Sequence, residues 1–198
     1  MSNAKRQPPS FEVSPSTRVR FRYRANNPLV SAVFTQQQLL NMFMASAGTT
    51  SAFRLFASVR LRKISIWSAP LTSSSSATPT TVAIEYVSST LIGGKRQAKS
   101  SSSVSPAVTA FVELIPNPGS LADMWISSAS TAALFKIDCP DESLLDFELD
   151  VVFAGDEPGF TITTTNGAAA GTVGLAELNA STGTGDLAPV SLQSIGDI

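Results

Sequence analysis

Seven residues, Arg18-Val19-Arg20-Phe21-Arg22-Tyr23-Arg24, alternate without error between guanidinium and apolar side chains. A period of two puts Val19, Phe21 and Tyr23 on one side of an extended strand and four arginines on the other, a division no helix can make. The strand therefore belongs to a sheet with one face in a core and the other turned outward. Same-face neighbours on a strand stand roughly 6.6 to 6.8 Å apart. This is comparable with the phosphate spacing of an extended single strand, so such a ladder can follow a backbone without reading bases. Four like charges in a row also repel each other and call for anions. Phosphates are the first expectation, carboxylates of the same or a neighbouring subunit the second, and a solvated edge strand that resists aggregation the third.

The rest of the chain reads as more of the same architecture. Arg54 to Trp67 alternates in its second half, with a break in phase at Arg62-Lys63 that predicts a bulge. Further strands are expected over Thr80 to Val87, Val108 to Ile115, Ala133 to Asp138, Leu144 to Phe153, Phe160 to Thr165, Ala168 to Leu178 and Leu187 to Leu192, with Asn166-Gly167 as a hairpin signal. One helix is predicted over about Gln36 to Ala45, opened by a Thr35/Gln38 capping box and carrying Leu39, Leu40 and Phe43 on one face. The serine runs at Ser73 to Ser76 and Ser100 to Ser103, with Gly93-Gly94, read as polar loops. Eight or more strands with one or two short helices indicate a β-sandwich or closed barrel. Residues 1–17, rich in Pro, Ser and Gln, read as an extended arm and residues 18–198 as one domain.

Composition narrows the chemistry. Charged residues make up 15% of the 198, and 29 serines and 18 threonines supply most of the surface polarity. There is no histidine, so Ser-His-Asp and Cys-His sites and imidazole-ligated zinc are excluded. The single cysteine, Cys139, has no intrachain disulfide partner. No apolar run is long enough for a spanning helix, and the N-terminus lacks the apolar stretch of a signal peptide, so stable membrane insertion is not expected. The net charge of −1 hides an asymmetry: residues 1–99 hold 13 bases and two acids, a net of +11, and residues 100–198 hold one base and 13 acids, a net of −12. Two charged regions in one domain suggest a polyanion partner or head-to-tail contacts between copies, unless the halves neutralise each other within the fold.

The segments TQQQLLNMFMASAGTTSAFRLFASVRLRKISIWSAP, TVAIEYVSS, GGKRQAKS, SLADMWISSAS, ALFKIDCPDESLLDFELDVVF and GDLAPVSLQSI, in this order, resemble the single jelly-roll capsid proteins of small icosahedral viruses. The resemblance is to the type found in circular single-stranded DNA viruses, which is related to tombus-like RNA virus capsids. It covers roughly residues 18–198. It implies an all-β, eight-stranded jelly-roll β-sandwich that self-assembles, by analogy about 60 copies in a simple shell, around a nucleic-acid genome in a virion. Many such proteins carry a long arginine-rich arm, whereas the arm here offers only Lys5 and Arg6. The structured ladder Arg18, Arg20, Arg22 and Arg24 is then expected to carry more of the nucleic-acid binding. A plain shell without a protruding domain is the simpler expectation.

Arg54, Arg60, Arg62 and Lys63 are secondary members of the basic surface, and Lys95, Arg96 and Lys99 read as a loop cluster. Asp146-Phe147-Glu148-Leu149-Asp150 mirrors the arginine ladder, with three carboxylates on one strand face. Asp146, Glu148 and Asp150 are acidic interface candidates that arginines of another subunit could face; a solvated acidic surface and Ca²⁺ bridging at subunit interfaces follow in that order. Mutual repulsion raises the pKa of such acids unless a cation lies opposite. An enzyme is not expected, because paired catalytic carboxylates stand in a cleft and not along one regular strand. Trp67 and Trp125 read as packing residues that could also stack on bases. The alternatives to a capsid subunit are a soluble β-sandwich recognition module, carbohydrate-binding or adhesive, and a monomeric single-strand nucleic-acid binder.

Overall fold

The computed structural model describes residues 15–70, 79–87, 97–105, 108–154, 161–163, 169–178, 187–190 and 194–197. Among these the strands are β1 (Thr17–Ala25), β2 (Leu29–Thr35), β3 (Phe43–Gly48), β4 (Ser51–Arg54), β5 (Phe56–Trp67), β6 (Thr80–Tyr86) and β7 (Gln97–Ser103). They continue with β8 (Phe111–Leu114), β9 (Ala133–Cys139), β10 (Leu144–Phe153), β11 (Thr161–Thr163), β12 (Val173–Glu177), β13 (Leu187–Pro189) and β14 (Ser194–Asp197). One helix, α1 (Gln36–Leu40), and a 3-10 turn at Leu121–Asp123 complete the described elements.

Eight of these strands form a jelly roll. β1 pairs with β10, β2 with β9, β5 with β8 and β6 with β7, all antiparallel. These are the nested pairs of one long hairpin, the first strand against the last and so inward. Rolling that hairpin adds the pairs β5–β10 and β6–β9, which splits it into two sheets of order β1-β10-β5-β8 and β2-β9-β6-β7. β13 extends the first sheet beside β1, and a third sheet of order β11-β4-β3-β12-β14 joins them. The fold is an all-β jelly-roll sandwich, as the resemblance implied.

The alternation read from the sequence decides what lies between the sheets. Phe21 and Tyr23 of β1, Leu61, Ile64 and Ile66 of β5, and Leu145, Phe147 and Leu149 of β10 are buried, facing Val82 and Ile84 of β6 and Phe135 and Ile137 of β9. Phe34 stacks on Phe135 with centroids 5.1 Å apart, and Phe147 meets Tyr23 edge-on at 5.7 Å. Both buried tyrosines satisfy their hydroxyls across layers: Tyr86 donates to the Leu114 carbonyl at 3.0 Å and Tyr23 to the Ala176 carbonyl at 3.2 Å. The predicted phase break is a bulge in β5. Lys63 pairs with Glu148 and Leu61 with Leu149, leaving Arg62 as the extra residue. The bulge keeps both Leu61 and Ile64 in the core.

Two expectations need correction. The helix ends at Leu40 instead of Ala45, although its capping box forms: the Gln38 amide donates to the Thr35 hydroxyl at 3.4 Å and the Thr35 amide to Gln38 Oε1 at 2.9 Å. Phe43 instead starts β3, where the Leu55 amide reaches the Phe43 carbonyl at 3.0 Å and the Ala176 amide the Met42 carbonyl at 2.9 Å. Ladder bonds to two other strands outcompete the last turn of a short helix. The polar run Gln97–Ser103 is likewise a strand and not a loop. It lies at the edge of its sheet, where it needs no apolar face on both sides, and Thr81 and Ser102 link hydroxyls at 2.9 Å across the pair. The sequence pattern predicts no strand at β2, where a register shift between Leu29 and Ala32 hides the period, whereas β13 lies inside the strand expected over Leu187 to Leu192. The Asn166-Gly167 hairpin signal lies outside the described residues.

Candidate nucleic-acid interface

Among the described residues, the outer face of the β1-β10-β5-β8 sheet collects a dense set of opposite charges. Register sets Arg18 opposite Asp150, Arg20 opposite Glu148 and Arg22 opposite Asp146 between β1 and β10. On the other side of β10, Asp150 faces Arg60 and Glu148 faces Lys63. An acidic strand thus lies between two basic ones. Among the described residues the two charge-biased halves of the chain therefore meet in one sheet, because nested pairing of a jelly roll sets its first strand against its last.

The ion pairs keep this register at Arg18–Asp150, Arg22–Asp146 and Lys63–Glu148, whereas Arg20 reaches diagonally to Asp146 and Arg60 turns to Asp123. Arg22 grips Asp146 with two donors, Nε at 2.7 Å and Nη2 at 2.8 Å, while Arg20 donates to the same carboxylate through Nε at 2.8 Å and also through Nη2. Arg18 Nε reaches Asp150 at 3.0 Å and its Nη1 lies 3.6 Å from Glu148. Arg62 donates to the second oxygen of Asp150. Lys63 lies between Glu113 at 3.2 Å and Glu148 at 3.6 Å. Arg24 meets Glu142 at 3.3 Å and Arg60 meets Asp123 at 2.7 Å. The arginines expected to face phosphates therefore rest on carboxylates of their own chain, and Asp146, Glu148 and Asp150, expected to meet arginines of another subunit, meet those of β1 and β5.

Depth separates the β1 arginines from the two aspartates of β10. The Asp146 side chain is 3% exposed and that of Asp150 11%, whereas Arg18 and Arg20 are 60% and 58% exposed. These two carboxylates form a floor and the β1 guanidiniums cover it. Burial pushes the Asp146 and Asp150 carboxyls up, but the hydrogen bonds and charges of Arg22 and Arg20, and of Arg18 and Arg62, outweigh it and hold both below the ordinary carboxylate value. Bonds to the same acids hold Arg18 and Arg22 above the usual arginine value. An arginine carries five N–H donors, so those not spent on the floor remain for an outside anion.

Sequence reasoning did not anticipate several participants. Glu142 reaches Arg24 from the turn between β9 and β10, where it holds a left-handed φ of 62°; a turn conformation leaves no periodic signal. Asp123 and Glu113 come from other elements. Trp67 shares this face: it pairs in register with Phe111 of β8, their rings 5.1 Å apart, and the Arg22 guanidinium lies 5.8 Å from the Trp67 ring. Arg54, counted as part of the basic surface, is buried on β4 in another sheet, where burial lowers its pKa. Lys99 lies on β7 and donates to the Glu113 carbonyl at 3.2 Å. Lys5, Arg6, Lys95 and Arg96 lie outside the described residues.

Among the described residues, no group of three or more Cys, Asp or Glu is placed to hold a metal ion. None of the described helices is long and apolar enough to cross a membrane. Cys139 is buried, and burial pushes its thiol up to about 12.

No family model and no curated protein sequence matches the chain. In structure, the chain is similar to the subunit of a virus-like particle of the extra small virus of the giant freshwater prawn Macrobrachium rosenbergii, seen by cryo-EM. The TM-score is 0.42 and the identity 13%, over 76% of this chain and 88% of that one.

Proposed function

We propose that this chain is a non-enzymatic, capsid-like shell subunit that associates with copies of itself and encloses single-stranded nucleic acid. One observation carries the reading: a jelly-roll sandwich whose outer β1-β10-β5-β8 face is an exposed guanidinium layer on a floor of buried carboxylates. Jelly rolls serve as viral shell subunits, lectins and cupins, so the fold alone does not choose among them. The guanidinium layer favours a polyanion over a sugar. Because Asp146 and Asp150 already fix the arginines, less side-chain freedom is lost when a phosphate arrives.

Assembly in this reading comes from many weak contacts closed by symmetry. Val104, Val108 and Ile115, all more than half exposed, offer apolar surface for such contacts. The finer reading, a virion protein of the circular single-stranded DNA virus type with about 60 subunits, is supported by the sequence resemblance alone. No metal or cofactor is needed for it.

The test is sedimentation and negative-stain microscopy of the purified chain, with nuclease digestion of any protected cargo. Closed particles protecting single-stranded nucleic acid are expected, and the choice of nuclease separates DNA from RNA. A clean monomer across salt and pH overturns the assembly reading. For the cargo, the four arginines are replaced by Gln together with D146N and D150N, so that no orphaned carboxylate is left buried. Cargo should then fall and what remains should be less salt-sensitive; unchanged cargo removes this face from the reading.

A further inference from the structure

The outer face is not only ionic. Its row at the Arg24 end runs Arg24, Leu144, Trp67, Phe111 across four strands. Ile66 and Val112, the inward neighbours of Trp67 and Phe111, are fully buried, so the two rings project from the opposite, outer side. Phe111 lies on the strand that ends the sheet and is 44% exposed. Arg22, Trp67 and Phe111 are therefore neighbours, a guanidinium 5.8 Å from an indole and the indole 5.1 Å from a phenyl ring.

We infer that Trp67 and Phe111 form a base-stacking platform, so that this face takes a single-stranded polynucleotide with phosphates on the β1 guanidiniums and a base on the exposed Phe111 ring. The platform presupposes the cargo-binding face proposed above and adds to it the ligand's strandedness. A positively charged track beside aromatic rings is the arrangement that binds single strands without sequence preference, since every base has a π-face. Arg22 serves both parts: it belongs to the cationic layer and lies against Trp67. Asp146 fixes Arg22 from below and so positions the ring pair as well. A duplex keeps its base faces stacked and can engage only the guanidiniums.

The experiment uses the full chain carrying W125F, which leaves Trp67 as the sole indole. Its fluorescence and affinity are measured with oligothymidylate, oligouridylate and an abasic phosphodiester oligomer of equal length. Base-bearing oligomers should quench Trp67 and bind about 5- to 150-fold more tightly than the abasic one for each stacked base. Phe111→Leu, which keeps apolar area without a ring, should erase that ratio and leave abasic affinity unchanged. Similar ratios for the deoxy and ribo oligomers are expected because stacking ignores the sugar. Equal affinity for base-bearing and abasic oligomers overturns the platform while leaving the cargo face intact. Binding of neither overturns both. Phe111 covered by a second copy of the chain, seen as a Phe111→Leu effect on assembly with no change in the ratio, also overturns it.

Discussion

Asp146→Asn isolates what the carboxylate floor contributes to the sheet. The change is isosteric and opens no cavity, but it removes the charge that two guanidiniums share. Asp146 accepts from Arg20 and Arg22 through four N–H groups. A bond to a charged group is worth about 1.5–3 kcal/mol, and halving that because both arginines stand partly in water leaves roughly 0.75–1.5 kcal/mol per partner. Two partners give an expected destabilisation of roughly 1.5–3 kcal/mol at neutral pH. The pH dependence supplies the control. The folded Asp146 carboxyl titrates below its ordinary value of 3.8, so its contribution is fully present above that value and is lost as the pH falls through the lower, folded one. Urea unfolding of parent and variant at neutral pH and in steps below pH 4 should show the difference shrinking toward zero in acid. A difference under about 0.5 kcal/mol at neutral pH, which is the scatter of ordinary surface changes, or one that persists unchanged in strong acid, refutes the reasoning.

Other expectations concern the core and its edges. Phe147→Ala empties the site where Tyr23, Phe34 and Phe135 meet and should cost about 3–5 kcal/mol in the same unfolding assay. Thr35→Ala removes the acceptor for the Gln38 amide and should cost about 1 kcal/mol, visible as a lower urea midpoint with an unchanged slope. Cys139, buried and with its thiol pushed up to about 12, should react with a thiol reagent at neutral pH only after denaturation; prompt reaction in the native protein contradicts the burial.

The strands that border the core were legible from local pattern. β10 spans Leu144–Phe153 around the alternating stretch from Leu145 to Val151, and the Arg62 bulge showed as a phase break, because a period-two rule registers any inserted residue at once. The Thr35/Gln38 cap was legible for the same reason, as its two bonds lie within one turn. What local pattern could not supply was the partner of each strand. Gln97–Ser103 has no apolar period and became β7 only because β6 offered it a ladder, while Phe43 left the helical stripe for β3 because β4 and β12 lay beside it. The arginine ladder is the clearest case. Its residues alone specify that Arg18 to Arg24 share a face and need anions. That the first anions are Asp146 and Asp150 of the same chain, more than a hundred residues away, depends on nested pairing that brings the first jelly-roll strand against the last. Charge fixes the need for a partner locally, whereas the partner's identity is a long-range register that only the rolled hairpin decides.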